Sequence, residues 1–344
     1  MSMFPITRMR RLRLPIIRPL VQETYLHLDD LICPLFFDEA ITAPLSISSM
    51  PGQQRYPVSM AGDIAHNLFS IGIRAILLFG IPKHKDSQGT SAYDENGIVQ
   101  RAVREIKKAV PNMVVITDLC ACEYTDHGHC GILEMSSAEL ANDESLALMD
   151  KIAISHAQTG ADIVAPSSML DGVVSSIRAA LDREGYSKVC IMAYSSKFAS
   201  ALYGPFREAA DSGYSFGDRK GYQAPITNRR EAYRESELDA LEGADFLMVK
   251  PAGWAGDVIS DICAFNIPVV AYQVSGEYAM IMAACEKGWL QSDVIIESLL
   301  SLKRAGASLI ITYFAEEVAK LATPRGGAKT PLSGDLNSSC PRDV

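Results

Sequence analysis

Eight short, β-branched, apolar runs alternate with helix-patterned segments along this chain, and that alternation limits its folds more than any other feature. The runs cover residues 33–37, 75–79, 113–117, 162–165, 188–193, 246–249, 268–273 and 309–313. Each has the length of a strand and is too short for a helix. Between them, apolar residues recur at helical spacing over 98–110, 137–158, 172–183, 229–241, 278–287 and 293–304. Three of these segments run into a Gly-Ala pair just before the next strand: Gly160-Ala161, Gly243-Ala244 and Gly306-Ala307. Glycine accepts the left-handed conformation that stops a helix, so the pairs read as αβ connections. Strands that alternate with helices run parallel, with the helices outside. Eight such units favour a closed (β/α)₈ TIM barrel over an open, doubly wound sheet, which carries a glycine-rich phosphate loop after its first strand. The expected organisation is an N-terminal arm over 1–30, a catalytic barrel over 31–321 and a flexible tail over 322–344.

Charge narrows the partners. A net charge of -9 opposes binding to nucleic acid or an acidic membrane, since phosphate backbones attract basic surfaces. A small anionic substrate remains open to a site with its own cations. Apolar runs fall short of the roughly 18 residues of a membrane span. The start carries Arg8, Arg10, Arg11, Arg13 and Arg18 without the unbroken apolar stretch of a secretory signal, and it is poor in serine for an organellar transit peptide. The expected location is the cytoplasm. Eight cysteines in so long a chain do not make a disulfide scaffold. Cys33, Cys190, Cys263 and Cys285 stand in apolar contexts as core thiols, and Cys340 lies in the polar tail.

The remaining three cluster. Asp118 to Cys130 holds Cys120, Cys122 and Cys130 together with His127 and His129. Soft thiolates favour Zn²⁺, and three protein ligands leave a fourth position for water or substrate, as in an open catalytic site. His127 or His129 would instead close a structural site. The spacing is not that of a standard finger, so reactive or buried free thiols are the alternative.

In a barrel, chemistry sits at the C-terminal ends of the strands. Those positions here carry Asp118, Cys120, Ser167, Lys197, Lys250, Ser275 and Tyr313. Lys250 follows the apolar run Phe246-Leu247-Met248-Val249. Burial and a second nearby cation both disfavour an ammonium, so with Lys197 beside it Lys250 becomes a candidate neutral nucleophile for a ketone. A lone lysine is usually a solvated loop residue; two at successive strand ends weaken that explanation. Gly204-Pro205-Phe206-Arg207 and Gly217-Asp218-Arg219-Lys220-Gly221-Tyr222-Gln223 form a cationic, glycine-rich loop region that could bind a carboxylate, or could be solvated surface charge.

These residues resemble the porphobilinogen synthase family, also called 5-aminolevulinate dehydratase, from about residue 10 to residue 319. The resemblance rests on Ser49-Met50-Pro51-Gly52, Leu78-Phe79-Gly80-Ile81-Pro82, the Cys120 to Gly131 segment, Lys197-Phe198-Ala199-Ser200, Tyr203-Gly204-Pro205-Phe206-Arg207, Met248-Val249-Lys250-Pro251 and Tyr272-Gln273-Val274-Ser275-Gly276-Glu277-Tyr278. It implies that two molecules of 5-aminolevulinate condense to porphobilinogen with loss of two waters. Lys250 would form an imine with one substrate and Lys197 would engage the other, with Asp118 near the reacting amine. Cys120, Cys122 and Cys130 fall on the triad of the zinc-dependent branch. Arg207 and Arg219, with Lys220 and Gln223, would bind one substrate carboxylate, and Ser275 and Tyr313 the other. Glu235 matches a glutamate that holds an activating Mg²⁺ in some members. The family assembles as a homo-octamer whose N-terminal arms embrace neighbouring subunits.

There are departures. Trp254-Ala255-Gly256 stands where relatives commonly carry Ala-Tyr-Leu, Met282 where a lysine is usual, and Gly221 where some relatives place a second cysteine. Two other readings compete: another Schiff-base aldolase or lyase on the same barrel, and a non-catalytic zinc-binding scaffold.

Overall fold

A computed structural model of the chain describes residues 8–134, 139–213, 215 and 217–322. All eight anticipated strands form: β1 (Leu31–Asp38), β2 (Ala75–Ile81), β3 (Val114–Leu119), β4 (Ile163–Pro166), β5 (Cys190–Lys197), β6 (Phe246–Lys250), β7 (Val269–Tyr272) and β8 (Leu309–Ile311). They pair in parallel and in chain order, and β8 closes on β1 with Ile310 opposite Leu31. The helices are α1 (Ala61–Ser70), α2 (Ile98–Ala109), α3 (Asn142–Gln158), α4 (Val173–Arg183), α5 (Gly204–Ala209), α6 (Arg229–Glu242), α7 (Gly256–Ile262), α8 (Ser275–Glu286), α9 (Asp293–Ala305) and α10 (Ala315–Ala322). This is a (β/α)₈ barrel.

Local chemistry explains the elements. Every residue of β1 is buried, as expected of a strand covered on both faces. In α2, Ile98, Val99, Ala102, Val103 and Ile106 form the buried face, while Arg101, Arg104, Glu105 and Lys108 are left for the other side. Gly243 and Gly306 end α6 and α9 at φ 101° and 118°, so these Gly-Ala pairs do terminate helices. The residue after such a pair has a second task. Asp162 and Asp245 each turn a carboxylate onto a backbone N–H of the preceding strand, at Val115 (2.7 Å) and Ile191 (2.8 Å). Strand starts at the barrel floor are thereby tied to their neighbours.

Several boundaries differ from the sequence pattern. The helix expected over 137–158 is described from Asn142, and Ser137 lies outside the described residues. The helix expected from 278 begins at Ser275, because its capping residues carry little apolar signal. Gly204 to Arg207, read as loop, is the first turn of α5, with Pro205 in the position a helix start tolerates. The final strand ends at Ile311, leaving Tyr313 beyond it. A short hairpin, Leu45–Ser46 with Gln54–Tyr56, adds to the end of β1 without an apolar run to announce it. Cys33 is buried as expected, Cys190 and Cys263 are partly buried against the core, and Cys285 is partly buried without joining it. Cys340 and the tail from residue 323 lie outside the described residues. Among the described residues ahead of β1 are three short 3-10 turns, Met9–Arg13, Arg18–Val21 and Leu28–Asp30, none of which buries a residue. Among the described residues, no helix is long and apolar enough to cross a membrane.

Gly80 near the end of β2 shows how tightly helix and strand meet. A Cβ there would lie 2.6 Å from Val99, 2.7 Å from Ile98 and 2.8 Å from the Tyr124 hydroxyl. Gly80→Ala is expected to destabilise the chain by about 1–3 kcal/mol through overpacking, measured as a lower denaturation midpoint with unchanged slope.

Candidate active site

β5 and β6 end level, with Lys197 opposite Lys250. β5 reaches that level through a register irregularity between Ala193 and Ser196. There the buried Ser196 hydroxyl bonds the Ala232 carbonyl (3.0 Å) and the Ser236 hydroxyl (2.9 Å) of α6. Serines on a barrel strand thus have a helix to satisfy them.

The Lys250 Nζ stands among aromatic rings: Tyr272 at 4.2 Å from the centroid, Tyr194 at 5.0 Å, Phe206 at 5.1 Å and Tyr203 at 5.4 Å. Burial, and then the charge on Lys197, lower its pKa from 10.5 to about 7, with Asp118 pulling the other way. A usable fraction of neutral amine therefore exists near neutral pH. Lys197 donates to the Ser167 carbonyl, and the Ser167 hydroxyl donates to Asp118 at 3.1 Å. Burial raises the Asp118 carboxyl, and the two lysines partly restore its charge.

Cys120, Cys122 and Cys130 lie on the loop after β3, all buried. Their sulfurs fall within 4.8 Å of one another, and the Cys120 and Cys122 Sγ atoms are 3.3 Å apart. Burial pushes the Cys120 thiol up and the contact with Cys120 pushes the Cys122 thiol up, whereas the two neighbouring sulfurs pull Cys130 down. Ligand sulfurs at about 2.3 Å from a tetrahedral zinc stand about 3.8 Å apart, so the cluster fits a soft dication with little adjustment. Neither His127 nor His129 joins the set; the His129 ring instead meets the Tyr222 hydroxyl at 3.3 Å. A second group of donors, Asp118, Cys120 and Glu123, shares one thiol with the first. The Cys122 thiol donates to the buried Glu123 carboxylate at 3.2 Å.

The cationic region divides. Arg219 leans over the thiol loop, donating to Gly128 (2.9 Å) and Ser212 (2.8 Å), and its charge helps to pull Cys130 down. Arg207 lies on α5. Gln223 is buried with its Nε2 unbonded, facing a cavity of about 600 Å³ also lined by Lys220, Tyr222 and Glu235. Lys220 is largely exposed and nearest Asp218. Glu235 belongs to α6, outside the barrel, and its carboxyl is raised by burial and by the charges of Asp171 and Glu231.

Ser275 opens α8. Its hydroxyl accepts the Phe206 N–H at 2.9 Å and reaches the Leu202 carbonyl at 3.4 Å. The Tyr313 hydroxyl meets that of Tyr272 at 3.1 Å, which places it next to the Lys250 box. Sequence reasoning missed the box itself and Glu123; the aromatic residues at the ends of β5 and β7 were the available signal. Trp254, in the loop after Lys250, is 64% exposed.

A family model described as delta-aminolevulinic acid dehydratase matches residues 6–321. The protein so described from Archaeoglobus fulgidus is 51% identical over 321 residues, covering 93% of this chain and 99% of its own length. The one from Bacillus subtilis is 48% identical over 316 residues, covering 91% and 97%. The crystal structure of delta-aminolevulinic acid dehydratase (porphobilinogen synthase) from Toxoplasma gondii ME49, in complex with the reaction product porphobilinogen, matches with a TM-score of 0.90 at 41% identity, over 92% of each chain.

Proposed function

The chain belongs to the delta-aminolevulinic acid dehydratase family, and we propose from that premise that it is the lyase condensing two molecules of 5-aminolevulinate to porphobilinogen, with loss of two waters, in tetrapyrrole biosynthesis. The observation that carries the reading is the level pair Lys197 and Lys250, one of them a buried amine titrating near neutrality.

Lys250 attacks the ketone of one substrate as a neutral amine; its nitrogen gains the carbon, and the oxygen leaves as water to give the imine. The surrounding rings exclude bulk water, which would return the imine to ketone. Lys197, anchored on the Ser167 carbonyl, engages the second substrate, and Asp118, whose charge the two lysines support, exchanges protons with the reacting amine. The carboxylate of the imine-bound substrate rests on Ser275 and Tyr313, replacing the Leu202 carbonyl as acceptor of the Ser275 hydroxyl. The other carboxylate is held by Arg207 and Arg219, with Lys220 and Gln223 at the edge. Cys120, Cys122 and Cys130 would hold Zn²⁺, which supplies Lewis-acid polarisation of a substrate oxygen when bound. Glu235, beside Asp171 and Glu231, would hold Mg²⁺ at a distance from the lysines. We assign residues 1–30 as an arm, 31–321 as the barrel and 322–344 as a tail, with the arm embracing a neighbour in a homo-octamer and the enzyme in the cytoplasm.

The amine's pKa makes the reading testable by pH. Below about 7 Lys250 is an ammonium and cannot attack, so imine formation is expected to rise as pH rises through that value. Lys197→Met removes a cation that lowers this pKa, so the rise should move to higher pH. The rate of borohydride trapping of 5-aminolevulinate on Lys250, followed against pH, reads both; an unmoved profile in the variant would contradict the pairing. In stability terms the folded chain binds fewer protons here than the unfolded chain between about 7 and the ordinary 10.5, so raising pH across that window adds stability.

A further inference from the structure

Glu277 lies in the first turn of α8, two residues after Ser275, and is buried. One carboxylate oxygen accepts the Val274 N–H at 2.7 Å, and the other accepts the Gly253 N–H, also at 2.7 Å. The first bond caps the helix. The second does not, since it reaches across to the loop that leaves Lys250. A Cβ at Gly253 would lie 2.1 Å from the Glu277 Oε1, so a side chain there forces the carboxylate and the loop apart. On the other flank Gly276 lets the same turn of α8 lie flush on the approach to α5, where a Cβ would come within 2.5 Å of the Leu202 carbonyl oxygen.

The start of α8 is therefore wedged between the two segments that frame the amine. The Lys250 carbonyl accepts the Phe198 N–H (2.8 Å) and the Tyr203 hydroxyl (3.2 Å), and the Ser275 hydroxyl accepts the Phe206 N–H. A cap alone can be supplied by a serine or threonine at the surface. A buried carboxylate carries a desolvation cost that is offset only if its bonds are made, and here one bond caps α8 beside Ser275 while the other ties that helix to the loop that leaves Lys250.

We propose that Glu277 is a positioning residue for the condensation: it fixes the separation between the Lys250 amine and the Ser275 hydroxyl, so that a substrate seated by its carboxylate presents its ketone to the amine. The proposal rests on the roles given above to Lys250 and Ser275.

The test uses the full chain with zinc, as wild type, Glu277→Gln and Gly253→Ala. Glutamine keeps the length but presents an amide N–H₂ to one of the two donors, and alanine at Gly253 forces loop and carboxylate apart without changing the charge. Three quantities are read: KM and kcat for 5-aminolevulinate, the borohydride adduct on Lys250 at saturating substrate, and the thermal midpoint. The expected result is a KM raised roughly tenfold in both variants, with the adduct still forming fully once substrate saturates. A KM within about twofold of wild type in a folded variant overturns the proposal, since a merely structural role lowers the midpoint without moving KM. Loss of fold in both variants overturns it as well, by making Glu277 a folding element. Absence of any adduct in the wild type would instead refute the reading on which the proposal stands.

Discussion

Lys250→Ala is expected to cut porphobilinogen formation by on the order of 10⁴-fold or more, and to abolish the mass increase that borohydride and 5-aminolevulinate leave on the chain. The reason lies in the geometry of the box. Four rings surround this amine within 5.4 Å of their centroids, so water has little access to replace it as nucleophile. Lys197 is level with it but is tied to the Ser167 carbonyl, and so cannot swing into the same position without losing that bond. Near-normal turnover in the variant would remove the imine from the mechanism. An adduct that reappeared on Lys197 would reverse the roles of the two lysines.

Removing the metal should have the second largest effect. Chelation is expected to lower turnover by roughly 10²-fold or more, the scale of lost electrostatic stabilisation at a reacting oxygen, and added Zn²⁺ should restore it. Cys122→Ala should lose bound zinc measured by elemental analysis and should not be rescued at the same zinc concentration, because two sulfurs and a water make a weaker site. This experiment separates the proposed enzyme from a Schiff-base aldolase on the same barrel, which needs the lysine but not the thiols. Full porphobilinogen formation after chelation would take the thiols' metal out of the reaction, whereas a lysine adduct without porphobilinogen would favour the aldolase. Zinc retained by a chain that forms no adduct would favour a scaffold.

Much of this was legible in the residues because the signals were local. Eight apolar runs became eight strands, and Gly243 and Gly306 ended helices as their place before Ala244 and Ala307 implied. The three cysteines were close in sequence and proved close in space. What depended on distant segments was not readable. Tyr194, the pair Tyr203 and Phe206, and Tyr272 come from three separate stretches of the chain to surround one amine, and no spacing announces that. α8 begins three residues early because Ser275, Gly276 and Glu277 carry no apolar period, and the Glu277 carboxylate that caps the helix locally also bonds the distant Gly253 N–H. The cationic stretch after β5 looked like one loop, yet the fold sends Arg207 to α5, Arg219 to the thiols and Lys220 towards solvent. Charge counts cannot distinguish such destinations, since they follow from which backbone carbonyls each side chain meets.

The exposed side chain beside the Gly253 clamp makes the loop optically visible. The chain has two tryptophans, Trp254 at 64% exposure and Trp289 at 74%, so red-shifted emission is the expected result for both. In a Trp289→Phe background, Trp254 is the sole indole, one residue from the bond that joins α8 to the exit of Lys250. Its emission wavelength and quenching by iodide then follow that segment directly. A change in that emission on adding 5-aminolevulinate is the expected result if substrate at the lysine shifts the loop, and it would time binding without labelling the protein.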